Sequence, residues 1–138
     1  MWVFRKRALR SALFSAAAMQ MISHAAPATA ADWTKAQRID VIATDYHFEP
    51  NKLEFAQGQP YQLHFENRGK DMHEFNAADM FRAAEIKNPE ALNPDRTEIQ
   101  VQPGQEKDLY FVPLQAGNYK LICPDHDWAG MTGEITVR

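Results

Sequence analysis

Cysteine is nearly missing from this chain: Cys123 is the single one among 138 residues. No intramolecular disulfide can form, so packing and hydrogen bonding must hold the fold together. Long apolar runs are missing too. The most apolar stretch, "ALFSAAAMQMIS", is too short to cross a bilayer as a stable helix. Positive charge is scarce beyond the first ten residues. Fifteen Lys and Arg, less Arg5, Lys6, Arg7 and Arg10, leave eleven against eighteen Asp and Glu, a net charge of −7 beyond residue 30 with neutral histidines. That excess repels a phosphate backbone and excludes nucleic acid as a partner. It suits a basic protein or cations instead. Repeats, low-complexity tracts and a second domain boundary are also lacking, so about 108 residues read as one domain able to bury a modest core.

What the chain does have at its start is the pattern of an export signal. Four basic residues precede the apolar stretch, and "APATA" supplies the small-x-small ending that signal peptidase cuts. Residues 1–30 therefore read as a cleaved signal peptide, with the cut near Ala30 or Ala31, and residues 31–138 as the mature domain. On this reading the mature form does not span a membrane; an uncleaved anchor is the alternative. Export changes the meaning of the lone cysteine. In an oxidising compartment an accessible thiol is a liability, so Cys123 is either buried and inert or held as a metal thiolate.

Strand patterns dominate after residue 36. "RIDVIAT" and "KLEFAQ" are followed by "PYQLHFEN", which sets Tyr61, Leu63 and Phe65 on one face and Gln62, His64 and Glu66 on the other. "TEIQVQ", "EKDLYFV", "YKLIC" and "GEITVR" complete about seven or eight short strands separated by turns, the signature of an all-β sandwich or small barrel. One stretch, "AADMFRAAEIK" at 77–87, reads as a helical insertion, and 88–96 as a polar loop.

The chemistry concentrates at the C-terminal end, in "YKLICPDHDWAGMTGEITVR". Cys123 closes a strand, His126 follows in the loop, and Met131 opens the next strand. A thiolate, an imidazole and a thioether form a soft-to-borderline ligand set, and two histidines with one cysteine plus a weak axial methionine describe a blue-copper electron-transfer site. The second histidine must come from another strand end. His73, in "NRGKDMHEF", is the choice. His64 falls on the polar face of its strand and reads as a solvated surface residue. His47, in "TDYHFEP", is the weaker competitor, and His24 leaves with the signal. Two other chemistries stay open at this point. Zinc also takes Cys and His, although a thioether is a poor zinc ligand. Cys123 activated by His126 would be a nucleophile, but no oxyanion-hole motif accompanies it.

With these residues in view the chain resembles the cupredoxins, the blue-copper family that includes plastocyanin and pseudoazurin. The resemblance rests on "GNYKLICPDHDWAGMTGEITV", "ENRGKDMHEF" and "VQPGQEKDLYFVP", and spans nearly all of 37–138. It implies a Greek-key β-sandwich with one copper ion held by His73, Cys123, His126 and Met131. It further implies one-electron transfer, and with the export signal this reads as a periplasmic monomer whose partner is a redox protein such as a c-type cytochrome or an oxidase. His126 would be the electron port, with Trp128 and Ala129 as an apolar contact beside it.

The sequence departs from the family pattern in three places. Glu74 follows the first histidine where asparagine is usual; a carboxylate there can accept a bond from the Cys123 loop but cannot donate one unless protonated. Its charge should favour Cu(II) and lower the potential. Pro124 directly follows the cysteine, and Asp125 and Asp127 flank His126. The "HEF" stretch is also similar to small cupredoxins of bacterial iron uptake, which implies an alternative partner in an iron permease system. On that alternative the copper oxidises Fe(II), with Glu74, Glu85, Asp125 or Asp127 as oxygen ligands to iron. Copper sequestration or delivery is the third reading.

Overall fold

The computed structural model describes residues 30–138. The expected export signal at 1–30 therefore lies, apart from its last residue, outside the described residues. The alternating segments all form strands. They are β1 (Gln37–Thr44), β3 (Lys52–Phe55), β4 (Tyr61–Asn67), β7 (Glu98–Val101), β8 (Glu106–Pro113), β9 (Gly117–Ile122) and β10 (Thr132–Val137). Three further strands carry no alternation long enough to announce them: β2 (His47–Glu49), β5 (His73–Asn76) and β6 (Ala84–Ile86). Among the described residues no helix is long and apolar enough to cross a membrane.

The strands build two five-stranded sheets, in the orders β2-β1-β4-β8-β6 and β3-β10-β9-β5-β7. β1 runs parallel to β4 and β10 parallel to β3, while the other pairings are antiparallel. The non-sequential orders are those of a Greek-key sandwich, as expected. The edge strands are three or four residues long, which leaves little exposed backbone for another chain to pair with.

Alternation determines what fills the space between the sheets. Tyr61, Leu63 and Phe65 of β4 are buried, as their spacing requires. Phe65 meets Phe75 of the opposite sheet edge-on at 5.6 Å, and Phe48 touches both at 6.2 Å. At the far end Phe55 packs on Tyr61 at 4.8 Å and on Phe111 at 5.2 Å. Each buried aromatic ring contributes on the order of 1.5–3 kcal/mol of transfer free energy, so this ring stack is a substantial part of the apolar tie between the sheets. A rigid frame of this kind is what fixes the strand ends that carry the site.

Two expectations need correction. The helix expected over 77–87 is only one turn and a half, α1 (Ala78–Arg82). Met80 and Phe81 turn into the core, and the chain then joins the first sheet as β6, with Ala84, Glu85 and Ile86 opposite Pro113, Val112 and Phe111. Alanine-rich helical propensity loses here to an open sheet edge, where β8 offers unpaired backbone groups and Ile86 packs against the core. His64 is not a solvated surface histidine. Its polar face is crowded by neighbouring strands, its side chain is 10% exposed, and Nδ1 lies 2.7 Å from Asp108 Oδ1.

Candidate metal centre

The site begins with strand register. Ile122 of β9 stands opposite Thr132 of β10, and one step further the Cys123 N–H donates to the Met131 carbonyl at 3.0 Å. Residues opposite each other in an antiparallel pair project to the same face, so the thiol and the thioether share a face, and both are fully buried. Between them the chain makes a tight loop. The His126 N–H donates to the Cys123 carbonyl at 2.9 Å, and the Met131 N–H to the His126 carbonyl at 3.3 Å. Gly130 closes the loop with φ +83°, a conformation that a side chain would strain.

His73 arrives from the second loop, at the first position of β5. It too is fully buried, and Asn67, the last residue of β4, holds its approach. The Asn67 side-chain amide donates to the carbonyls of Asp71 and Val101, both at 2.8 Å, and its oxygen accepts from the Gly69 N–H at 2.8 Å. Asn67 was not legible as a site residue beforehand, although it immediately precedes the turn "RGK".

The three residues meet. Cys123 Sγ lies 3.4 Å from His126 Nδ1 and 4.0 Å from His73 Nδ1, and the three donor atoms all fall within 4.8 Å of one another. Metal–sulfur and metal–imidazole bonds of about 2.3 and 2.0 Å in a trigonal plane give S···N separations of roughly 3.7 Å. The arrangement therefore fits one ion of first-row size with little movement. Among the described residues this is the one group of three or more His, Cys, Asp or Glu side chains so placed. His47 sits exposed on β2 and His64 in the other sheet, so neither joins it.

Electrostatics separate the open alternatives. Burial pushes the Cys123 thiol above its ordinary value, and the Glu74 charge adds to that. An unassisted thiol of this kind is a poor nucleophile, whereas a bound cation would ionise it. The nucleophile reading is thereby disfavoured, and the methionine opposite Cys123 tells against zinc. Glu74 does what its position promised: its Oε2 accepts the Asp125 N–H at 3.2 Å and lies 3.9 Å from Cys123 Sγ, joining the two ligand loops. Burial raises its carboxyl, opposed by the Asp125 N–H.

Two residues beside the histidines were missed. Tyr46 adopts φ 69°, unusual for a bulky residue, and its ring lies 4.9 Å from that of His126 and 5.7 Å from that of Trp128. Trp128 is 75% exposed and Tyr46 39%, so His126, with 12% of its side chain accessible, reaches solvent at the foot of an aromatic pair. The second is Asp45, in contact with His73 Nε2 at 3.2 Å.

Residues 12–137 match the family model described as the cupredoxin-like domain. The chain belongs to the cupredoxin-like family. The match covers most of the sequence, and the metal of this family is copper, for which the Cys123, His73 and His126 group is the natural holder. The copper-resistant cuproprotein CopI of Pseudomonas aeruginosa is 26% identical over 166 aligned positions, covering 91% of each chain. Auracyanin B superposes with a TM-score of 0.57 at 25% identity, over 78% of this chain and 93% of its own. Auracyanin A of Chloroflexus aurantiacus, a blue copper protein, gives a TM-score of 0.53 at 21% identity, over 73% and 98%; that likeness concerns the fold alone.

Proposed function

We propose that this cupredoxin is a periplasmic electron carrier rather than an enzyme, and that His73, Cys123, His126 and Met131 would hold its one type 1 copper. The observation that carries the reading is the buried thiol set 3.4 and 4.0 Å from two imidazole Nδ1 atoms on hydrogen-bonded strand ends. Copper bound there would supply a one-electron Cu(II)/Cu(I) couple. The chain's own contribution is rigidity. Cys123, His126 and Met131 are tied by backbone bonds, His73 by the Asn67 and β7 contacts, and Glu74 fastens one loop to the other. Ligands so anchored keep their positions when the charge at the site changes, which keeps reorganisation small. Burial of Cys123 keeps the sulfur from water and oxidants. His126 offers the short route outward, and the exposed Tyr46–Trp128 pair gives a redox protein an apolar landing surface rimmed by Asp71, Asp125 and Asp127. That charge pattern suits a basic partner such as a cytochrome.

A second reading, copper sequestration or delivery, is favoured by the near full-length similarity to a protein whose name records copper resistance. The Fe(II)-oxidising alternative has less support, because Glu85 is exposed on β6 in the other sheet and does not converge with Glu74 and Asp125. Loading the purified protein with Cu(II) tests all three. An electron carrier shows an intense thiolate-to-copper absorption, lost in Cys123→Ser, and reversible, rapid one-electron exchange with a c-type cytochrome. A store binds Cu(I) tightly but exchanges electrons slowly. A ferroxidase consumes Fe(II) over many turnovers in air. A colourless Cu(II) complex refutes the type 1 site altogether.

A further inference from the structure

Both ring nitrogens of His73 have a partner, and the two partners differ in kind. Nδ1 faces the Cys123 sulfur at 4.0 Å, toward the position of the ion, while Nε2 lies 3.2 Å from Asp45 Oδ1. His73 is fully buried, so no bulk water competes for the proton on Nε2. Asp45 belongs to the two-residue turn between β1 and β2, remote in sequence from the ligand loops. Its carboxylate is nevertheless fixed: the same Oδ1 accepts the Lys70 N–H at 2.7 Å and the Asp71 N–H at 3.3 Å. Gly69 completes the enclosure, since a Cβ there would collide with Asp45 Oδ1 and stand 2.7 Å from His73 Nε2.

We propose that Asp45 is a positioning residue of the copper site, a carboxylate that holds the proton of His73 on Nε2, reserves Nδ1 for the metal and biases the bound ion toward Cu(II). The inference rests on the copper reading above and deepens it. A neutral imidazole has one protonated nitrogen, and the group that accepts that proton's hydrogen bond decides which one it is. Here the acceptor is charged. A carboxylate on the outer nitrogen raises the basicity of the inner one, and a more basic ligand stabilises the higher charge more than the lower. His126 provides the contrast within the same site. Its Nε2 is 3.7 Å from Asp71 Oδ2, beyond hydrogen-bond reach, and that carboxylate is half exposed and shared with the Tyr46 hydroxyl at 3.4 Å. The bias therefore enters through His73.

The experiment compares wild type, Asp45→Asn and Asp71→Asn, each loaded with copper alone. Asn at position 45 can still accept from the Lys70 and Asp71 N–H groups through its amide oxygen, so the loop keeps its anchor while the charge goes. The expected result is a roughly tenfold fall in the ratio of Cu(II) to Cu(I) affinity, at the lower end of what outer-shell partners contribute. For a one-electron couple that raises the potential by about 59 mV, with a smaller rise in Asp71→Asn. An Asp45→Asn potential equal to wild type, or a rise no larger than in Asp71→Asn, overturns the inference. A second readout needs no variant. In the diamagnetic Cu(I) protein, nitrogen-15 spectra should show the His73 proton on Nε2 and slow to exchange; a proton on Nδ1 overturns it. The copper reading itself is judged separately, by the thiolate-to-copper absorption of the wild type.

Discussion

Gly69→Ala is the substitution whose outcome the geometry constrains most tightly. Glycine is required at 69 for space: the added methyl would overlap Asp45 Oδ1 and lie 2.7 Å from His73 Nε2. Neither neighbour can retreat cheaply. Asp45 Oδ1 is held by two backbone N–H groups, and His73 is fully buried with its other nitrogen turned to Cys123. Inserting a methyl into packing of this kind costs about 1–3 kcal/mol. Losing glycine's freedom in the unfolded chain returns about 0.4–1 kcal/mol. With two immobile polar atoms in the way, the net destabilisation should be about 2 kcal/mol. For a domain of this size each kcal/mol lowers Tm by about 4 °C, so calorimetry of the copper-free protein should show a fall of about 8 °C.

On the proposed copper reading the cost also has to show in the metal site, because the methyl acts on His73. Displacing His73 toward Cys123 should weaken copper binding and alter the thiolate-to-copper absorption, whereas a distant overpacking of equal cost would leave both alone. A double variant with Asp45→Ala should recover part of the stability, since one of the two obstacles has gone, and the two changes should be non-additive. If Gly69→Ala melts with the wild type and its copper spectrum is unchanged, then Asp45, Gly69 and His73 are not packed as described, and the reasoning about His73 fails with them.

Three more predictions probe neighbouring claims. Met131→Leu keeps the core volume and should cost less than about 1.5 kcal/mol; a shifted spectrum and potential would mark the thioether as the axial ligand, and unchanged values would refute that assignment. Glu74→Gln keeps an acceptor for the Asp125 N–H but removes a charge 3.9 Å from the Cys123 sulfur. Voltammetry should give a higher potential with the absorption intact, while an unmoved potential would show that the raised carboxyl is already protonated. His64→Ala removes a buried imidazole bonded to Asp108 and should lower stability to chemical denaturation by about 1–3 kcal/mol, leaving the copper spectrum as it was; a changed spectrum would mean His64 belongs to the site.

How far the sequence could be read depended on how local each feature is. Cys123, His126 and Met131 lie within one hairpin connection, so their convergence follows from spacing plus strand register, and both are visible in "CPDHDWAGM". His73 was found through its chemistry while its strand went unseen, because β5 has four residues, and "HEFN" is too short to show alternation. β6 was hidden for a different reason. Its residues favour a helix locally, and only the edge of β8, contributed from beyond residue 105, turns them into strand. The error at His64 came from treating a polar face as an exposed one. In a central strand flanked by β1 and β8, side chains such as Asp108 close over that face.

Asp45 marks the limit of such reading. It is 28 residues from His73, and their contact exists only because the β1–β2 turn settles against the loop that precedes β5. No pattern in "TDYHFEP" records that, and the one residue there with evident metal chemistry is His47. The trace that does exist is indirect: a glycine at 69, with no left-handed φ to explain it, between an asparagine turn and His73. A glycine needed for closeness implies that something must come close. In this fold that something is a carboxylate, and its charge falls on the histidine proposed to hold copper. The potential of the site is therefore expected to be set partly by a residue outside both ligand loops, which is why Asp45→Asn and Gly69→Ala, although opposite in kind, should both register at the copper.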